Sequence, residues 1–568
     1  MAYKNFNAAI YAPVSNLLAI TDLKEFDKRF SFIEKNVHVD KIYLETYRSG
    51  EFIDREKIIL IKDYFENKGI KVSGGITTTE NGPQEAYGFT SLCYTNKDHR
   101  DRLKSVVEMT ASIFDEIILD DFYFTNCKCD SCIEAKGDKS WSEFRLQLMK
   151  EVSVDLVVTP AKKVNPNINM IIKFPNWYEC FHENGYNLKD EPHIFDMIYT
   201  GTETRDPLYT QQHLPKYLSY FIMRYFENVK PGKNGGGWFD TFECRGNLNY
   251  YVEQAYLTMF SKPKEMTLFC LSALMDKRWN IFTPLAGYAL SEVDEFLGEL
   301  GNPVGTSCYI PYHSNEEDYL HNYIGMLGIP LEPYPEYPEG HSKIFLAESA
   351  AKDPDIVSKI GKSLRNGADV IITSGLVKAL TDKGLGQIAN IRWSGKKASV
   401  SRYGISSTGL NLDAVAASDK EILLPWMHVA TNDVWTLVEG LDTDNSVPVL
   451  MTVGYGKGHL FILTIPEDQG DVYNYPQEIL TQIRNVFRTF PVSLEAKAKV
   501  ALFTYDNDTF VVESFLPYPE NVKIIIHRPG AKLLDLVDRK VIEGTNVGNA
   551  TEFVVNLHQA SYKALRIE

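Results

Sequence analysis

Asp-Glu-Ile-Ile-Leu-Asp-Asp-Phe at residues 115–122, followed at once by Cys127, Cys129 and Cys132, is the stretch from which the fold can be read. An apolar run ending in two adjacent carboxylates reads as a buried parallel strand that delivers acids to its C-terminal mouth, the end at which barrel enzymes keep their chemistry. Working outward, buried strands are predicted at 6–13, 41–46, 71–77, 116–122, 169–175, 195–201, 236–242 and 265–271. Helix-like stretches such as 54–69 and 141–157 lie between them. Eight strands alternating with helices over about 300 residues are the size and order of a TIM (β/α)8 barrel.

Beyond Pro303 the texture changes. A Pro-rich connector at 330–338 reads as a boundary, and a fresh strand, helix, strand unit follows at 343–348 and 369–375, with further strands at 447–453 and 459–466. This is the pattern of a second, flavodoxin-like α/β domain. From about residue 492 short strands with turns predict a small C-terminal β-sandwich. The expected domains are therefore 1–305, 306–491 and 492–568.

The composition narrows the function. With 568 residues, 44% hydrophobic and 24% charged, the chain can bury large cores, and it has no apolar run of the roughly 20 residues that a membrane span needs. A net charge of −16 without a basic block excludes nucleic acid as the expected partner. The N-terminus runs directly into strand-like sequence with no signal-peptide hydrophobic region, so a cytoplasmic location is expected. Eight cysteines are too few for a disulfide scaffold, whereas three within six positions form a metal-like pattern. Zinc wants four soft ligands, and Cys93, just beyond the third strand, is the best fourth, with Cys180 behind it. A structural zinc and no organic cofactor are expected.

Carboxylates at strand ends point to an enzyme acting on carbohydrate. Adjacent residues of a strand face opposite ways unless the strand ends there, so one of Asp120 and Asp121 can meet substrate while the other supports it. Glycoside hydrolysis needs two carboxyls astride the bond. The seventh strand supplies Glu243 as the preferred second acid and Asp240 as the reserve. Glu45, Glu179 and Glu203 also fall at strand ends. Tyr11, Trp177, Tyr178 and Trp238 suit stacking on sugar rings, and Arg48, Lys173 and Arg245 suit holding substrate or pairing with the carboxylates.

Asp120-Asp121-Phe122, then Cys127-Lys-Cys129-Asp-Ser-Cys132, then Phe144-Arg145-Leu146, resembles the segment of glycoside hydrolase family 42 in which the fourth strand ends in an Asn-Glu pair. The order of domains is similar too. The resemblance implies a clan A, retaining glycosidase with a trimerisation domain, and the cytoplasmic location makes exo action on small oligosaccharides the expectation, since large polysaccharides do not enter cells. The resemblance places the acid/base on Asp121, the preceding Asn on Asp120, the zinc cysteines on Cys127, Cys129, Cys132 and Cys93, and the nucleophile on Glu243. Asp-Asp for Asn-Glu shortens the acid by one methylene and puts a charge where that family has an amide. Adjacent aspartates also resemble those of substrate-assisted hexosaminidases, the alternative mechanism, and an inactive sugar-binding protein on the same scaffold is the alternative from another class.

Overall fold

In the computed structural model, which describes residues 2–82, 89–207, 213–315, 317–430, 432–442 and 445–568, the eight strands expected of the N-terminal half form a closed barrel. They are β1 (Asn7–Ala12), β2 (Lys41–Arg48), β3 (Lys71–Ile76), β4 (Glu116–Leu119), β5 (Asn169–Phe174), β6 (Met197–Gly201), β7 (Asn234–Asp240) and β8 (Glu265–Phe269). Each pairs in parallel with its neighbours, and β1 pairs with both β8 and β2, which closes the ring. Parallel strands covered by helices are buried on both faces, which is why Ile117, Ile118 and Leu119 of β4 are all fully buried. The helix Trp141–Val152 begins with a capping box between Ser140 and Glu143.

The barrel interior is packed with Ala9, Tyr11, Tyr43, Ile118, Ile171, Tyr199 and Trp238. Its N-terminal end is closed by a buried polar group, in which Lys41 lies 3.3 Å from Glu265 and the Tyr43 hydroxyl donates to the same carboxylate at 2.7 Å. Charges there are paired within the protein, so the functional groups are left to the opposite, C-terminal mouth.

The chain forms two units, residues 1–298 and 299–568. The second holds a nine-stranded mixed sheet and two antiparallel sheets built mainly from the C-terminal strands. In the mixed sheet Thr306–Tyr309, Leu331–Tyr334, Lys343–Leu346, Asp369–Thr373 and Gly458–Leu463 run in parallel. The Pro-rich stretch is therefore not a connector. Leu331–Tyr334 is the edge strand of this sheet, a position that tolerates Pro333 because an edge does not need every N–H. A long hairpin, Ile391–Ile405 with Ala414–Val429, extends the other edge and was not expected from the sequence. Arg484, almost fully buried, joins this unit internally by donating to the carbonyls of Leu327 at 2.6 Å and Ala496 at 2.7 Å. Among the described residues, no helix is long and apolar enough to cross a membrane.

Candidate active site

At the C-terminal mouth of the barrel a cavity of about 330 Å³ is lined by side chains from the ends of β2, β4, β5, β6, β7 and β8. Strand β4 brings Asp120 and Asp121, with Phe122 after them. Lys173 comes from β5, Glu203 from just beyond β6, and Trp238 and Asp240 from β7. Lys173 is the hub. Its Nζ donates to Asp121 Oδ2 at 2.5 Å and to Glu203 Oε1 at 3.2 Å, stands 3.6 Å from Asp120, and lies 4.0 Å from the centre of the Trp238 ring.

Burial works against the charge of Lys173, but the three carboxylates outweigh it and lift its pKa well above the usual lysine range. The two neighbouring aspartates are pushed apart. Burial raises Asp121 most, Lys173 pulls it down, and Asp120 and Glu203 push it up again, leaving its carboxyl at about 7. Burial also raises Asp120, but Lys173 and Arg48 reverse this and hold it below the usual carboxylate range. Arg48 Nη2 donates to Asp120 Oδ2 at 2.7 Å. The Glu203 carboxyl is raised, first by burial and then by Asp240, against the pull of Lys173. Glu203 can fold back over the end of β6 because residue 201 is glycine, since a Cβ there would come within 2.6 Å of Glu203 Oε2.

Asp240 is held differently. Arg205 grips it with two hydrogen bonds, Nη2 to Oδ2 at 2.6 Å and Nε to Oδ1 at 3.2 Å, and the Phe242 N–H donates to Oδ1 at 3.0 Å. To reach it Arg205 adopts a left-handed backbone with φ +51°, a conformation that non-glycine residues keep where the surroundings enforce it.

Arg48, Asp120, Asp121, Lys173, Trp177, Glu203, Trp238 and Asp240 are thus brought together, and six other candidates are not. Glu243 does not line the cavity. The chain leaves β7 at Asp240 and turns, and Glu243 sits exposed on that turn with φ +58°. Glu45 lies behind the site. It is fully buried and accepts hydrogen bonds from Tyr11 at 2.7 Å, the Val14 N–H at 2.7 Å and Arg48 at 3.0 Å, so it orients Arg48 and has no face toward substrate. Arg245 is exposed, with its guanidinium 4.9 Å from the Trp279 ring centre. Tyr11, Tyr178 and Glu179 are buried and do not line the cavity. Sequence reasoning missed Arg205, Asn176, Phe242 and Phe269, which do line it. The signal for Arg205 was its place two residues beyond Glu203 at the same strand end.

The four thiols of Cys93, Cys127, Cys129 and Cys132 come within 4.8 Å of one another, while Cys180 is exposed and outside the group. Cys93 Sγ is 3.7 Å from Cys129 Sγ and 3.6 Å from Cys132 Sγ. A tetrahedral zinc with Zn–S bonds of about 2.3 Å sets sulfurs roughly 3.8 Å apart, so this group fits such an ion, and no pair is close enough to be a disulfide.

A barrel whose mouth gathers four carboxylates and three cations around one small cavity has the groups that an enzyme of the glycosidase class needs. A family described as probable glycosyl hydrolase, catalytic domain, matches residues 1–291. Residues 301–468 match the second domain of the uncharacterized protein SSO3021, and residues 491–567 match the C-terminal domain of a probable glycosyl hydrolase. The chain belongs to this glycosyl hydrolase family and is a glycosidase. Over 417 residues, 67% of this chain and 68% of the relative, it is 29% identical to the uncharacterized protein SSO3021 of Saccharolobus solfataricus. Its fold is similar to that of a cold-adapted β-galactosidase from Rahnella sp. R3, with a TM-score of 0.66, 12% identity and 100% of both chains covered. α-L-Fucosidase isoenzyme 2 of Paenibacillus thiaminolyticus gives the same TM-score, 0.66, at 12% identity and 100% coverage of both chains. Gan42B, a family 42 β-galactosidase, follows at a TM-score of 0.63 and 11% identity, with 100% of this chain and 99% of that one covered. The likeness to the family 42 enzyme Gan42B is one of fold.

Proposed function

We propose that the protein is a retaining, exo-acting glycosidase of neutral sugars, with Asp121 as acid/base and Asp240 as nucleophile. The observation that carries this is the contrast between two acids of one cavity: Asp121 at the end of β4, its carboxyl pushed up to about 7, and Asp240 at the end of β7, ion-paired to Arg205. A carboxyl that keeps its proton near neutrality suits proton donation, and one fixed in place by an arginine suits attack. In the first step an Asp240 oxygen bonds to the anomeric carbon while the glycosidic C–O bond breaks, and the Asp121 proton passes to the leaving oxygen. In the second, water attacks that carbon, Asp121 takes the water proton, and the bond to Asp240 breaks. Lys173 and Arg48 fix the carboxylates around Asp121.

The cavity is small for a ligand pocket, which favours a single terminal sugar over an internal chain segment. Arg48, Lys173 and Arg205 are all paired with carboxylates, so among the described residues lining the cavity no unpaired cation is left for a uronate or a sulfate. Galactosides and fucosides are the first substrates to try, because the glycosidases of similar fold bear those names.

The test is turnover on aryl glycosides of both anomers, including β-galactoside, α-L-fucoside, 2-acetamido and uronide members, with product anomers followed by NMR. Activity on a neutral glycoside with retained configuration is expected, and inversion would sink the nucleophile assignment. One observation favours a second mechanism: Asp120 and Asp121 both line the cavity with pKa values displaced in opposite directions. Activity confined to 2-acetamido sugars, and surviving Asp240→Asn, would establish substrate assistance by that pair instead.

The cysteine group is assigned as a structural zinc site. Elemental analysis is expected to find about one zinc per chain. Chelation or Cys132→Ser should lower the melting temperature by several degrees, because metal bound only by the folded state stabilises it. A metal-free preparation with an unchanged melting temperature would refute the assignment.

A further inference from the structure

The loops that follow β3 and β4 are tied together at two levels, and the inner tie ends next to Asp121. At the outer level Cys93 of the β3 loop meets Cys127, Cys129 and Cys132 of the β4 loop. At the inner level the fully buried Tyr94 donates its hydroxyl to Thr78 Oγ1 at 3.0 Å, and Thr78 Oγ1 donates to the carbonyl of Phe122 at 2.8 Å. Thr77 adds a bond to Asp120 Oδ2 at 3.1 Å. From the other side the buried Tyr186 hydroxyl donates to the carbonyl of Asp121 itself.

None of these hydroxyls lines the cavity, so none can touch a sugar. Buried hydroxyls are costly unless bonded, and here Tyr186 acts on the main chain of Asp121 and Thr78, backed by Tyr94, on that of Phe122 beside it. A proton donor must sit within hydrogen-bond reach of the leaving oxygen, and a displacement of about 1 Å can cost on the order of 10²-fold in rate.

We propose that Thr78 and Tyr94 are positioning residues for proton donation: their relay holds the Phe122 carbonyl, and with it the backbone of Asp121, at the height where the carboxyl meets the leaving oxygen. The proposal rests on the assignment of Asp121 as the acid. It predicts a pattern that general destabilisation does not produce. An aryl glycoside with a very acidic phenol needs little protonation to leave, whereas one with a poor leaving group depends on the acid.

The experiment compares kcat/KM on a 2,4-dinitrophenyl glycoside and on the matching phenyl glycoside for wild type, Tyr94→Phe, Thr78→Val, the double variant and Asp121→Asn. Hydrogen exchange of the peptide spanning 121–126 is measured on the same proteins. For Tyr94→Phe and Thr78→Val the phenyl substrate should lose about 10-fold or more and the dinitrophenyl substrate less than about 2-fold, with faster exchange in that peptide. The double variant should lose no more than the worse single one, because both act through one carbonyl. Equal losses on both substrates, or none, would overturn the positioning role while leaving Asp121 as the acid if Asp121→Asn keeps its leaving-group dependence. Absence of that dependence in Asp121→Asn would overturn the acid assignment, and the positioning role with it.

Discussion

Asp240→Asn is expected to lower kcat/KM on every glycoside the wild type accepts by about 10⁴-fold or more, equivalent to roughly 5.5 kcal/mol of transition-state stabilisation. An amide is nearly isosteric with the carboxylate but cannot form the bond to the anomeric carbon, so the loss should not depend on the leaving group. Folding is expected to survive, because Arg205 can still donate to the amide oxygen and keeps its place at the cavity wall. The informative control is Glu243→Gln. Glu243 is exposed on the turn beyond β7, outside the cavity, so its variant should keep activity within about 3-fold. If Glu243→Gln is the dead variant and Asp240→Asn is not, the turn must rearrange when substrate binds, and the nucleophile assignment returns to Glu243.

That pair of variants marks where sequence reasoning stopped. The strands of the barrel were legible because parallel strands covered by helices on the outside must be apolar along their length, and Glu116–Leu119 or Glu265–Phe269 can be seen as such in a single sequence. Asp121, Lys173 and Asp240 were legible for the same reason, as the polar residues that close apolar runs. Which acid of the seventh strand faces inward was not, because it depends on a turn in which Glu243 takes a positive φ that its residue type does not advertise. Arg205 was hidden by the same physics. Its guanidinium reaches Asp240 through a left-handed backbone enforced by tertiary contacts rather than by local propensity.

Glu45 failed in another way. Its position at a strand end was read correctly, but a buried carboxylate can spend its lone pairs on protein donors, and nothing local shows that Tyr11, Val14 and Arg48 converge on it. In the second unit the hairpin of Ile391–Ile405 and Ala414–Val429 lacked a period-2 pattern because much of both strands is exposed. The proline-rich strand Leu331–Tyr334 lacked the propensity, which an edge position makes unnecessary.

Asp121→Asn should separate the substrates that Asp240→Asn treats alike. The wild-type acid must carry its proton when the glycosidic oxygen leaves. Burial, the largest influence, places the Asp121 carboxyl near 7, so kcat/KM should be highest below that pH and fall about tenfold per unit above it. The sign follows from the direction of the shift. A raised carboxyl pKa extends the protonated form upward in pH, so activity is lost on the alkaline side and not, at this group, on the acid side. In Asp121→Asn the alkaline limb should vanish and rates on phenyl glycosides should drop by about 10²–10⁴-fold, the usual worth of general acid catalysis. Dinitrophenyl glycosides should retain the bond-breaking step and stall at the glycosyl-enzyme, visible as a burst followed by slow turnover, because the same residue must then deprotonate water. Added azide, which needs no deprotonation, should relieve that stall and yield a glycosyl azide of retained configuration. A variant that keeps the alkaline limb near pH 7 would move the proton donor to Glu203, whose carboxyl is also raised by burial and which shares the ammonium of Lys173 with Asp121.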